Sequence, residues 1–161
     1  MPLDGELLRQ VMRHWPTGVT VVTSKTDNYC HGMTVNSFTS LSLEPPFVAV
    51  TLARESRTYA LAEQSGIFGI NILGEDSGDI SDRFAGKIAE AIDRFAGLEI
   101  FTLVTGAPLL TLALANLDCR VAHQYAMLNS TLFIGEVLAV HHSGAGWPLV
   151  YLNKGYHKIE K

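Results

Sequence analysis

One stretch constrains this chain more than any other, the run from Gly32 to Thr58, GMTVNSFTSLSLEPPFVAVTLARESRT. Its first part, Met33 to Leu43, has the spacing of a strand. Met33, Val35, Ser37, Thr39, Leu41 and Leu43 share one side, with Thr34, Asn36, Phe38, Ser40 and Ser42 on the other. Both sides mix polar and apolar residues. A half-buried strand with hydroxyls and amides on both faces must find partners for them, because an unpaired buried polar atom is costly. A neighbouring backbone group can serve any one of them; a bound polar ligand better explains the whole run.

Glu44-Pro45-Pro46 then breaks the strand, since proline cannot donate to a ladder. Phe47 to Leu52 reads as a nearly all-apolar strand, and Arg57 to Gln64 as a helix capped by Ser56. A helix start carries free N–H groups and the positive end of the peptide dipoles. With Arg54, Arg57, Ser56 and Thr58 beside it, this one can seat an anion. By position alone, an ordinary cap with two solvated arginines explains the same residues equally well.

The rest of the chain reads as short elements between turns. Glu6 to Trp15 is a short helix that Pro16 stops. Val19 to Ser24 is a strand, with Asp27-Asn28 as the tip of the hairpin after it. Ile67 to Leu73, Leu117 to Tyr125, Thr131 to His141 and Leu149 to Leu152 are further strands, and Glu75 to Phe84 is a helix. Gly135, inside the long strand, predicts a bulge or a close approach. Asp82-Arg83-Phe84-Ala85-Gly86 recurs as Asp93-Arg94-Phe95-Ala96-Gly97, an echo too short for a repeat architecture. About seven strands and three short helices, without βαβα alternation, favour a closed antiparallel barrel over a doubly wound sheet. At 161 residues the natural expectation is one domain, 1–161.

Composition narrows the function. The formal net charge is -4 and no basic stripe is visible, so nucleic acid is not the expected partner. Hydrophobic residues make up 47% and charged ones 17%, apolar enough to predict a subunit interface. Cys30 and Cys119 lie far apart without a CxxC, which suits a reducing cytoplasm. The histidines are not grouped with cysteines at ligand spacing, and neighbours such as His141-His142 point to opposite faces of a strand, so no metal site is expected. No segment reads as a signal peptide or a membrane span. GxGxxG, GxxxxGK[ST] and GxSxG are all absent, which excludes a Rossmann pocket, a P-loop and a nucleophile elbow. From the residues alone the reading is a small β-barrel with a polar, anion-tolerant groove.

Several segments resemble one family in order and spacing. They are Trp15 to Thr23, Gly32 to Ser40 with Leu43-Glu44-Pro45-Pro46, Gly66 to Leu73, Asp82 to Gly86, Gly106 to Leu110 and Leu132 to Val137. Together they resemble the flavin reductase-like, FMN-binding split-barrel family, the reductase components of two-component flavin-dependent monooxygenases. The resemblance implies a mainly β fold, a Greek-key antiparallel split barrel with short helices, forming a homodimer. It implies hydride transfer from NADH or NADPH to FMN or FAD, with reduced flavin diffusing to a partner monooxygenase.

It also implies site residues. Thr34, Val35, Asn36, Ser37 and Ser40 would face the isoalloxazine and ribityl chain, and Thr51 and Leu52 the ribityl chain. Ser56, Arg57 and Thr58 would seat the phosphate, helped by Arg83, preferred over Arg94, and its neighbour Phe84; His157 would lie by the nicotinamide. The same barrel also serves pyridoxamine-phosphate oxidases, non-catalytic flavin carriers and a few haem-binding relatives, which stand as alternatives.

Overall fold

The computed structural model describes residues 2–89 and 93–160, and these residues form twelve strands and three helices. Helix α1 (Gly5–Met12) is capped by Asp4, whose carboxylate accepts from the Glu6 N–H at 2.9 Å. None of its residues is buried, so Leu7, Leu8, Val11 and Met12 all face outward. After β1 (Thr17–Gly18), strands β2 (Thr20–Thr26) and β3 (Tyr29–Val35) form a hairpin around the expected turn Asp27-Asn28. Strands β4 (Thr39–Leu43) and β5 (Pro46–Ala53) form a second hairpin.

Helix α2 (Arg57–Ser65), β6 (Ile67–Ile72) and α3 (Gly78–Phe84) follow. Next come the two-residue strands β7 (Ile100–Phe101) and β8 (Leu109–Leu110), then the long hairpin of β9 (Ala115–Ala126) and β10 (Ser130–His142). The chain closes with β11 (Val150–Leu152) and β12 (Gly155–His157), which with β1 make a small separate sheet.

The main sheet is wholly antiparallel, in the order β3-β2-β6-β9-β10-β5-β4. That order forces it to roll. Its two edge strands, β3 and β4, are consecutive in sequence and joined only by residues 36–38. A flat seven-stranded sheet would hold them roughly 29 Å apart, whereas so short a link spans about 14 Å. The expected single strand Met33–Leu43 is therefore two strands on opposite edges, and the barrel is split where they meet.

The rolled interior is filled by Val22, Val50, Leu52, Phe68, Ile70 and Phe133, with Tyr59 and Ala62 of α2 plugging it. The predicted irregularity at Gly135 is present as a register shift between Ile134 and Gly135. A Cβ there would drive into the Phe68 ring and stand 3.1 Å from Cys119 Cβ. The 98–114 segment is held against the sheet by buried amides. Asn71 Nδ2 donates to Val21 O (2.9 Å), and Asn71 Oδ1 accepts from Leu110 N (2.7 Å) and Asn116 Nδ2 (2.9 Å). Among the described residues no helix is long and apolar enough to cross a membrane.

Candidate functional site

Strand β3 and the start of α2 converge on one cleft. Ser56 begins α2 as expected: its hydroxyl accepts from Tyr59 N at 3.1 Å and donates to Ala53 O at 2.8 Å. Arg57, the next residue, and Ser56 itself form one wall of a cleft of about 630 Å³. Met33 and Thr34 of β3 form the facing wall, and Phe84 and Ala85, at the end of α3, close it.

Arg94 completes the cationic end of this cleft. Its Nη1 donates to Gly32 O and Phe84 O, both at 3.0 Å, which fixes the guanidinium against β3 and α3. Gly32 permits that packing: a Cβ there would stand 2.9 Å from Phe84 Cε1. The positive end of α2, Arg57 and Arg94 thus gather cationic character at one end, with Glu55 as the nearby carboxylate.

Thr34 leads into a second cleft, of about 210 Å³, with Val35, Asn36, Tyr151 and Tyr156 around it. Thr34 Oγ1 donates to Ser81 O at 2.6 Å, tying β3 to α3. The Tyr156 hydroxyl donates to Asp82 Oδ1 at 2.6 Å and lies 2.8 Å from Ser81 Oγ, from which it can accept. Lys87 Nζ also reaches Asp82, at 2.6 Å, and sits 5.6 Å over the Tyr156 ring. The Lys87 ammonium and the Tyr156 hydroxyl hold the Asp82 carboxyl below its usual range, and burial together with the Asp82 hydrogen bond pushes Tyr156 up.

The structure sorts the predicted residues. Thr34, Ser56, Arg57 and Phe84 meet at the larger cleft, and Thr34, Val35 and Asn36 at the smaller. Seven others line neither cleft. Leu52 is fully buried in the barrel core. Thr58 is also fully buried, its hydroxyl 2.9 Å from His31 Nδ1. Ser40 lies on β4, opposite Val48. Arg83 donates to Ala96 O (2.6 Å) and Asp93 O (3.1 Å), so Arg94 and not Arg83 faces the cleft. His157 is exposed, its Nε2 3.1 Å from Leu152 O. Ser37 and Thr51 bond to each other.

His31, Met33, Arg94, Tyr151 and Tyr156 line these clefts without having been singled out as site residues in the sequence. The Asp93-Arg94-Phe95 echo did mark Arg94 as an equal of Arg83, but spacing alone does not say which arginine turns inward. Strand alternation places Tyr156 inward and its neighbour His157 outward.

A cleft with a cationic end and a flat polar flank suits a ligand with an anionic tail and a planar polar head. On the seam of a rolled antiparallel sheet, that combination marks the flavin-binding split barrels. The chain belongs to the flavin reductase-like domain family, whose model matches residues 12–160. It is 35% identical to the NADH-dependent flavin reductase StyB of Pseudomonas fluorescens, over 96% of this chain and 90% of that one. It is 36% identical to the actinorhodin polyketide dimerase of Streptomyces coelicolor, over 97% of this chain and 87% of that one. The solved styrene monooxygenase flavin reductase of Pseudomonas putida superposes with a TM-score of 0.85 at 35% identity, over 96% of this chain and 97% of that one.

Proposed function

We propose that this chain, as one domain over residues 1–161, is a flavin reductase using NADH or NADPH to reduce FMN or FAD for a partner flavin-dependent monooxygenase. The observation that carries the reading is the cleft itself, cationic at Arg57 and Arg94 and running onto the polar edge at Thr34 to Asn36. When bound, the flavin would supply the redox chemistry, as acceptor of the nicotinamide hydride.

The chain's own residues bind and orient. Arg57, Arg94 and the first turn of α2 hold the phosphate; Thr34, Val35 and Asn36 set the plane of the ring. Phe84, fully buried at the back of the cleft, keeps water from that side. No side chain is required as acid or base in the hydride step.

The working form in this proposal is a cytoplasmic homodimer. The outward apolar side chains of α1 support a partner subunit, because a helix with no buried residue leaves them in water. Oxidation of NADH or NADPH that depends on added FMN or FAD tests the activity. Absence of flavin-dependent loss of nicotinamide absorbance overturns it, and flavin retained through gel filtration without turnover supports the carrier alternative instead.

A further inference from the structure

Two residues line both clefts, Thr34 of β3 and Ala85 at the end of α3. One carbonyl holds both: Ser81 O accepts from Thr34 Oγ1 at 2.6 Å and from Ala85 N at 2.9 Å. The junction of the clefts therefore depends on the peptide group between Ser81 and Asp82. That peptide sits in a seven-residue helix whose start at Ser77 has no side-chain cap, so the helix's own sequence fixes it weakly. Tyr156, on β12, supplies the missing restraint. Its hydroxyl pairs with Ser81 Oγ at 2.8 Å and donates to Asp82 Oδ1 at 2.6 Å, one bond on each side of the 81–82 peptide. Its ring lies against the helix, since a Cβ at Gly78 would stand 3.3 Å from Tyr156 Cδ2. Thr34 has one hydroxyl proton and gives it to Ser81 O, so towards a ligand its oxygen is an acceptor only.

We propose that Tyr156 is a positioning residue for the flavin ring: by clamping the 81–82 peptide it fixes Thr34 and keeps the Thr34 oxygen an acceptor for a ring N–H. This rests on the functional reading above. Tyr156 acts through Ser81 and does not need to touch the flavin. Its role is separate from that of Arg57 and Arg94, which serve the phosphate. Without the clamp the Ser81 carbonyl is free to shift, and the Thr34 hydroxyl can turn its proton towards the ligand.

Equilibrium titration of the whole protein with riboflavin, the ring without the phosphate, and with FMN tests the assignment. In Tyr156→Phe riboflavin affinity should fall about tenfold, the scale of one hydrogen bond to a charged group. The ratio of FMN to riboflavin affinity should stay as in the parent protein, and the visible circular dichroism of bound riboflavin should change. Tyr156→Phe keeps the ring against Gly78, so the variant is expected to fold. Thr34→Val removes the hydroxyl through which Tyr156 acts, and in that background Tyr156→Phe should cost only about twofold in riboflavin affinity. A merely structural role would cost the same in both backgrounds. Unchanged riboflavin affinity or dichroism in Tyr156→Phe, a loss confined to FMN, or an equal loss in the Thr34→Val background overturns the assignment and leaves the flavin reductase reading standing. Failure of the parent protein to bind either flavin overturns the two together.

Discussion

The Ser37 hydroxyl donates to Thr51 O at 2.9 Å and accepts from Thr51 N at 3.1 Å. One side chain thereby satisfies both backbone groups of Thr51 that a paired strand would have satisfied. β4 pairs with β5 only as far as Ala49, and Ser37 takes over beyond it. The split in the barrel is stitched, next to the link of residues 36–38, by a serine that the family resemblance marks as a ligand contact.

Ser37→Ala leaves Thr51 without that partner. Stability should fall by about 1 kcal/mol, the scale of a hydrogen bond with solvent access. Urea unfolding with an unchanged m-value checks it; an unmoved midpoint refutes the stitch.

Arg94→Ala should weaken flavin mononucleotide binding about tenfold to a hundredfold, the range for a charged hydrogen-bonding partner. Arg83→Ala should leave that affinity nearly unchanged, because Arg83 lines neither cleft. Titration with FMN and with riboflavin, which lacks the phosphate, separates the two. Riboflavin affinity should move little in either variant.

Asn71→Leu removes the amide that joins Val21, Leu110 and Asn116. It leaves the Leu110 N–H and the Asn116 amide buried without that partner. The expected cost is about 3 kcal/mol, since the Leu110 N–H is stranded in the core and Asn116 Nδ2 keeps only its bond to Leu110 O. Thermal unfolding measures it, and a loss below about 1 kcal/mol would show that this network does not hold the 98–114 segment.

Burial pushes the Cys119 thiol up to about 12, with the nearby Asp118 charge adding to it. Below pH 9 folded and unfolded chains both keep this proton. As pH rises from about 9 towards 12 the unfolded chain ionises and the folded one does not, so stability falls across that window. Cys119→Ala should flatten this alkaline limb relative to the parent protein in pH-resolved urea unfolding. In the native protein at pH 8 a thiol reagent should label Cys30, which is half-buried, well before Cys119.

The periods and turn residues were enough to read most elements: the Asp27-Asn28 turn and the Ser56 cap both depend on neighbours a few residues away. The β3–β4 break was hidden because Met33 to Leu43 keeps an alternating pattern across it. Phe38 and Ser37 are strand-compatible residues, and only the closure of the sheet makes residues 36–38 a link. The echo of Arg83 in Arg94 shows the same limit at the site. Two arginines in identical pentapeptides have identical local chemistry, and their roles separate because Arg83 of α3 finds the Asp93 and Ala96 carbonyls while Arg94 finds Phe84 O and, across the fold, Gly32 O, which sets it in the cleft wall.

By itself the sequence determined the antiparallel β class, the capped start of α2 and the polar run that follows Gly32, since these follow from local backbone chemistry. The tertiary structure alone decided that Leu52 and Thr58 turn inward, that Ser37 joins the seam, and that Arg94, Tyr156 and His31 reach the clefts. The reason is physical: which way a side chain faces depends on the far strand or helix packed against it, and that partner lies tens of residues away in the chain.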